Sequence, residues 1–305
     1  MDSIDKIILD ELIQNCRISY RDLGKKVNLS SSSAKKRVDH LENSGLIDHY
    51  VVLLNPELIN VRSATIIVAT DASVQIDTFK ETAIAFDGVY MILPLIDGNF
   101  YVGIEYSSES DLNSFCNIVK VIPGVQHTEI YDVFPPGFKS DLPATLDFTK
   151  HELMVLSQLA VDPRMMDYDI ADNLGWPARK SRQILEKLQA EGKVAFGPRV
   201  NPSLGRNLAV NLVIKYDPKS TSAADITKWL SDEYSHTYFN SRCVETKSTI
   251  FAVFTVEKVV DMEPIVTSVL NFEGVRSCYA ITYYTAILGK TLCRVRLEKL
   301  LEKEG

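Results

Sequence analysis

Residues 19–41 read Ser19-Tyr20-Arg21-Asp22-Leu23-Gly24-Lys25-Lys26-Val27-Asn28-Leu29-Ser30-Ser31-Ser32-Ser33-Ala34-Lys35-Lys36-Arg37-Val38-Asp39-His40-Leu41. Ser19 can cap a helix, with Asp22 three residues on in a capping-box arrangement, and Leu23 and Val27 supply its buried side. Asn28 tolerates the left-handed backbone that ends a helix. Ser30 then caps a second helix, whose apolar residues Ala34, Val38 and Leu41 are spaced four and three apart and share one face. The opposite face shows Ser31, Ser32, Lys35, Lys36 and Asp39, with Arg37 at its flank. Upstream, Ile4, Ile8, Leu12 and Ile13 recur at helical spacing and predict a further amphipathic helix. Two helices joined by a tight turn, the second with hydroxyls at its start and cations along its outer side, suit the major groove of double-stranded DNA. Serines at a helix N-terminus can bond phosphates or base edges, and free N–H groups there favour anions.

Seven cations lie between Arg17 and Arg37 (Arg17, Arg21, Lys25, Lys26, Lys35, Lys36, Arg37), against the single acid Asp22. The 305-residue chain as a whole carries 33 Lys and Arg, 40 Asp and Glu, and a net charge of −7. That balance argues against a protein that coats nucleic acid everywhere, but affinity for phosphates depends on where the cations sit. The expected base-reading residues are Ser31, Ser32 and Lys35, with Lys36, Arg37, Arg17 and Arg21 on phosphates. The alternative is a solvated charged face on a three-helix unit that binds protein.

The chain repeats itself. Arg17-Ile18-Ser19-Tyr20-Arg21-Asp22-Leu23 is echoed by Arg164-Met165-Met166-Asp167-Tyr168-Asp169-Ile170, and Leu54-Asn55-Pro56-Glu57-Leu58 by Val200-Asn201-Pro202-Ser203-Leu204. Ile122-Pro123-Gly124-Val125 returns as Phe272-Glu273-Gly274-Val275, so the offset stays within 146 to 150 residues. Two copies of one two-part unit follow. Phe134-Pro135-Pro136-Gly137-Phe138 marks the joint, because two prolines and a glycine stop a strand or helix. In the second helical unit Gly175 can end the middle helix and Pro177 suits the first position of the next. Arg179, Lys180 and Arg182 lie on or near its outer face and are a second candidate DNA contact. Seven cations there face five acids between Arg164 and Arg199, so DNA contact and a structural or assembly role both stay open.

The run Asp5…Ile8-Leu9…Asn15-Cys16-Arg17-Ile18-Ser19-Tyr20…Leu23…Val27-Asn28-Leu29-Ser30…Lys36-Arg37-Val38…Leu41-Glu42…Gly45-Leu46-Ile47…Tyr50 resembles the N-terminal region of Lrp/AsnC-type regulators. The resemblance implies a winged helix-turn-helix followed by a small α+β (RAM-like) sensing and assembly domain. The second copy departs from it at Trp176-Pro177, where the first has Leu29-Ser30, and lacks the serine run.

The other part of each copy reads as a sheet. Ala64–Ala69 is rich in β-branched residues, Ile76, Phe79, Ala83 and Phe86 follow helical spacing, and Tyr90–Leu95 and Asn99–Glu105 are strands joined around Asp97-Gly98, a hairpin signal. A helix through Leu112, Phe115, Val119 and Ile122 and a strand Val125–Phe134 complete a βαββαβ, ferredoxin-like order. The second copy repeats it with strands Leu208–Tyr216, Tyr238–Thr246, Thr249–Val256 and Val275–Tyr284 and helices near Ala223–Tyr234 and Met262–Leu270. Thr128, Ile130 and Asp132 alternate along one strand and Tyr279, Ile281 and Tyr283 along another, and a partner sheet is the expected cover. The tandem copies can pair within one chain as a pseudo-dimer, or two chains can pair as a homodimer. The resemblance further implies a small-molecule effector, commonly an amino acid, near the central turn. Asp97, Gly98, Asn99 and Tyr101 are its candidates, with Tyr101 where relatives place an aspartate.

Other chemistry finds no pattern. The five cysteines are scattered, none of the five histidines sits at metal-ligand spacing, and no P-loop, GxGxxG or GxSxG occurs. The expectation is a non-enzymatic protein with no cofactor. No apolar run is of membrane-spanning length and the acidic start lacks a signal-peptide order, so no membrane partner and a cytoplasmic location are expected.

The expected fold class is α+β: winged helix-turn-helix 1–60, ferredoxin-like domain 61–138, second winged unit 139–204, and second ferredoxin-like domain 205–305 with a charged C-terminal helix, Leu292–Glu304, packed on a neighbouring unit. The expected function is a sequence-specific transcription regulator of Lrp/AsnC type. The alternatives are a small-molecule sensor or assembly module whose helical units bind protein, and an architectural DNA-binder without an effector.

Overall fold

A computed structural model of the chain describes residues 2–133, 147–204 and 208–302. The joint at 134–138, most of the lead 139–148 and the last two residues of the expected C-terminal helix lie outside the described residues. The first copy runs α1 (Ser3–Gln14), α2 (Tyr20–Lys26), α3 (Ser31–Asn43) and β1 (Ile47–Leu54), then β2 (Arg62–Thr70), α4 (Ile76–Ile84), β3 (Val89–Pro94), β4 (Phe100–Tyr106), α5 (Glu109–Lys120) and β5 (Val125–Val133). The second runs α6 (Lys150–Val161), α7 (Asp167–Leu174), α8 (Ala178–Ala190) and β6 (Val194–Val200), then β7 (Leu208–Tyr216), α9 (Ala223–Glu233), β8 (Tyr238–Val244), β9 (Thr249–Val256), α10 (Met262–Leu270) and β10 (Val275–Thr282). A short β11 (Ile287–Leu288) and the helix α11 (Leu292–Glu302) follow. No described helix is long and apolar enough to cross a membrane.

These elements sort into two bodies. The winged body holds the described residues of 2–61, 147–201 and 292–302. Its first half buries Ile8, Leu12, Leu23, Val27, Ala34, Val38 and Leu41 from the three helical patterns, together with Leu9; of the first pattern Ile4 is half-buried and Ile13 is exposed, because α1 turns its Leu9 side inward instead. The expected wing is not a hairpin within each copy. Instead β1 pairs antiparallel with β6, so the wing strands of the two copies form one two-stranded ribbon. The register carries a symmetry. Val51 faces Gly197, and their counterparts at an offset of 147, Pro198 and Tyr50, also face each other. An exchange of copies maps the ladder onto itself, which places a local two-fold axis through the ribbon. The flanking ties repeat under that exchange: the Asn55 N–H donates to the Lys193 carbonyl at 3.0 Å, and the Asn201 N–H to the Leu46 carbonyl at 2.8 Å.

Helix α11 groups with this winged body rather than with the second body. It buries Cys293 and Leu297, while Arg294 donates to the Ala160 carbonyl and Arg296 to the Ile59 carbonyl. Ala160 lies in the last turn of α6, whose carbonyls have no partner within the helix, and Ile59 lies in a loop.

The second body holds the described residues of 62–133 and 202–291. Its sheets run β11-β3-β4-β2-β5 and β10-β7-β9-β8, so in each copy the first strand lies between the third and fourth, the order of a ferredoxin-like fold. One face of each sheet packs on its own helices, around Ile66, Phe79, Val102 and Phe115 in the first copy and Leu212, Leu230, Phe254 and Ile265 in the second. The other two faces pack on each other. Leu93, Tyr101, Tyr131 and Val133 meet Val213, Val244 and Phe251, with the Phe251 ring edge-on to Tyr101 at 5.4 Å and to Tyr131 at 5.1 Å. Strand β11 follows the second copy's sheet and adds to the first copy's, with Ile287 opposite Ile92. The two copies therefore pair within one chain. The period-two alternation on β5 places Tyr131 and Val133 against the partner sheet, while Ile130 packs on the helices and Asp132 accepts from the Tyr106 hydroxyl at 2.7 Å. The expected face of that strand, Thr128, Ile130 and Asp132, is corrected by one residue of register.

Candidate nucleic-acid interface

Helix α3 is seated by its own turn. The Ser33 N–H donates to the Ser30 hydroxyl at 3.1 Å, Ser19 caps α2 in the same way through Asp22, and Asn28 takes a φ of +55° between the helices. Gly24 lets the turn close: a Cβ there would lie 2.6 Å from the Leu29 carbonyl oxygen. With Ala34, Val38 and Leu41 inward, Ser31, Ser32, Lys35 and Lys36 are all exposed on the outer side.

The structure divides the seven cations. Lys25 pairs with Asp22 and Lys26 with Glu11, each at 2.8 Å. Arg37 bonds Asp2 and Asp5, both at 2.7 Å. Burial alone would raise the Asp2 carboxyl, but the Asp5 N–H and the Arg37 guanidinium outweigh it and hold it below its ordinary value. Arg17 is 11% exposed and bonds Asp167 and the Pro163 carbonyl, each at 2.8 Å. Its copy counterpart Arg164 lies over the rings of Tyr20 and Tyr50. Arg17 and Arg37, expected on phosphates, are thus held by acids of the protein itself; Arg17 joins the two winged units and Arg37 ties α3 to the start of α1. Among the described residues Arg21, Lys35 and Lys36 make no ion pair, and all three are exposed. The positive surface narrows from seven groups to these three beside the two serines.

Helix α8 presents a different surface. Its N-cap is Pro177, which supplies no side-chain cap. Trp176 carries the Lys180 ammonium 3.8 Å above its ring, and His151 meets the same ring edge-on. Arg182 bonds Glu186 at 2.9 Å. Arg179 is exposed and makes no ion pair among the described residues. Beneath the helix Glu152, 2% exposed, pairs with Lys187 at 3.1 Å and Lys193 at 3.7 Å.

The residues expected around an effector take two separate positions, three in the hairpin turn and Tyr101 between the sheets. Gly98 takes a φ of +86° with Ala72 packed against it, Asn99 donates to both Asp97 oxygens, and the Asn99 amide oxygen accepts from the Thr70 N–H at 2.9 Å. These bonds close the hairpin on itself. Tyr101 is 2% exposed between the two sheets, its hydroxyl on Thr65 at 3.1 Å, and burial pushes its phenol up to about 12. It packs the intrachain interface between the two sheets.

Among the described residues no His, Cys, Asp and Glu cluster has a metal-holding arrangement, and the five cysteines are free. Burial pushes the Cys16 and Cys278 thiols up to about 12, which keeps them neutral and poorly nucleophilic.

Fold and surface together define a winged helix-turn-helix protein with two ferredoxin-like domains in one chain. The family of winged helix-turn-helix DNA-binding domains matches residues 1–48. The leucine-responsive regulatory protein of Haemophilus influenzae is 34% identical over 139 residues, 44% of this chain and 83% of that one. An uncharacterized HTH-type transcriptional regulator of Pyrococcus abyssi is 30% identical over 135 residues, 44% of this chain and 91% of its own. The chain belongs to the Lrp/AsnC family of transcription regulators. A likeness over the whole length is to the crystal structure of the siroheme decarboxylase NirDL, with a TM-score of 0.58, 12% identity and 99% of both chains covered. At that identity it shows the tandem fold alone.

Proposed function

We propose that the protein is a sequence-specific DNA-binding transcription regulator in which one chain supplies both halves of a dimer-like reading body. The observation that carries this is the outer face of α3, where Ser31, Ser32, Lys35 and Lys36 stand exposed with no acid on either lysine among the described residues, in a chain of net charge −7. Exposed hydroxyls near a helix start and cations along the same face supply donors for base edges and phosphates. Arg21, exposed on the preceding helix, extends the phosphate contact. The activity in NirDL's title stays with that protein, since the likeness is one of fold.

The test is binding of the intact chain to duplexes recovered from a random pool, read by fluorescence anisotropy at fixed salt against a base-shuffled duplex. Specific binding on the order of a thousandfold tighter is expected. Equal affinity for both duplexes removes sequence specificity and leaves an architectural binder. No binding to either removes the DNA reading.

A further inference from the structure

The local two-fold axis makes the two winged units geometric equivalents, yet the residues it exchanges differ. At the offset of 147, Ser31 corresponds to Ala178, Ser32 to Arg179, Lys35 to Arg182 and Lys36 to Gln183. Two inward positions agree in character, Val38 with Leu185 and Leu41 with Leu188, all buried, and on the outer side only the cation is kept, Lys35 against Arg182. Partnering separates the faces further. Among the described residues Lys35 and Lys36 meet no acid, whereas Lys180 sits on Trp176 and Arg182 on Glu186, which leaves Arg179 and Gln183 as polar exposed groups of α8 that none of these contacts engages. A homodimer presents the same helix twice and reads a palindrome. Two copies in one chain are released from that constraint, because each can change alone.

We propose that the protein recognises a bipartite DNA site that is two-fold in geometry and unlike in its two halves, set at one spacing. This rests on the DNA reading above. The α3 half is read by Ser31, Ser32 and Lys35 with Lys36. The α8 half is read by Arg179 and Gln183, whose side-chain chemistry matches the O6/N7 edge of guanine and the N6/N7 edge of adenine. The spacing is set by the β1–β6 ribbon, with Leu54 opposite Val194 at one end and Ile47 opposite Val200 at the other, reinforced by the Arg17–Asp167 bond across the copies. The ladder runs unbroken from His49 opposite Arg199 to Leu54 opposite Val194, with one register shift between Ile47 and His49, and the bonds on either side brace it.

The experiment takes the intact chain, the motif it selects from random DNA, and three derived duplexes: a palindrome of each half, and the motif with a half-turn insertion of about five base pairs between the halves. Two surface variants accompany them, K35A/K36A and R179A/Q183A, each checked for an unchanged melting temperature. The expected result is a non-palindromic motif, with each palindrome and the insertion bound at least tenfold more weakly. R179A/Q183A abolishes base preference in one half and K35A/K36A weakens the other. A palindrome bound as well as the selected motif overturns the proposal, as does R179A/Q183A with both preferences intact. In either case the regulator reading stands, because DNA is still bound selectively. Absence of selective binding to any duplex overturns both.

Discussion

Lysines 35 and 36 give the sharpest quantitative handle on the interface. Both are exposed on α3 and neither meets an acid among the described residues, so replacing them by alanine removes charge without releasing an internal partner. If each neutralises one DNA phosphate, the double variant lowers the slope of log K against log salt by about 1.8, from a slope of about 0.9 per phosphate. Carried to a reference at molar salt, the same relation gives a loss of about 30-fold at 0.15 M and about 200-fold at 0.05 M. Stability should stay within about 0.5 kcal/mol, as for surface changes that touch nothing. Arg37→Ala is the internal comparison. Its guanidinium is bonded to Asp2 and Asp5, and Asp5 is buried, so its loss leaves an acid unmatched and costs about 1–3 kcal/mol of stability, while the salt slope stays as in the unaltered protein. The assay is anisotropy titration on one selected duplex from 0.05 to 0.3 M salt, with urea unfolding in parallel. A K35A/K36A slope equal to the parent's would refute the reasoning, and so would an Arg37→Ala slope reduced as much as the double variant's.

Three further outcomes follow from the fold. Phe251→Ala removes the ring that meets both Tyr101 and Tyr131 between the two sheets, and should cost about 3–5 kcal/mol in urea unfolding; a cost below 1 kcal/mol would mean the sheets do not pair within the chain. Ser248 holds a φ of +44° at the β8–β9 turn, where the first copy has Gly98 at +86°, so Ser248→Gly should raise stability by about 1 kcal/mol; a destabilised variant would contradict that backbone. For Glu152, burial alone would raise the carboxyl, but the Thr149 N–H, Lys187 and Lys193 outweigh it and hold it below its ordinary value. The unfolded chain therefore takes up the proton first as pH falls, so the stabilisation is present above about pH 4.3 and is lost as pH drops through the folded value. The stability gap between the parent and Glu152→Gln should be steady from about pH 7 to 5 and close below about pH 4; a gap that widens on acidification would contradict the assignment.

The elements themselves were largely legible in the residues, because their signals are local. Ser19 and Ser30 cap where their hydroxyls allow, Asn28 and Gly175 take left-handed backbone at the helix ends, and β7, β9 and α10 have the boundaries their periodicity predicts. Partners drawn from distant sequence were not legible. The charge count over 17–37 could not include Asp2, Asp5, Glu11 or Asp167, the acids that take Arg37, Lys26 and Arg17. Alternation on β5 gave two faces, but which one meets a second sheet depends on residues of the other copy. The β1–β6 ribbon was hidden for the same reason, since a strand shows its period and not its partner. One clue was present: Arg17 and Arg164 stand at the repeat offset, and under a two-fold axis each reaches across to the other copy.

Hydroxyl-radical footprinting of the intact protein on its selected duplex, at one chain per duplex, bears most directly on a single chain that grips DNA through a two-fold winged body. Two protected patches about one helical turn apart are expected, and K35A/K36A should erase one of them while the other persists. Protection that is uniform along the duplex, or that arises only when two chains are bound, would contradict it.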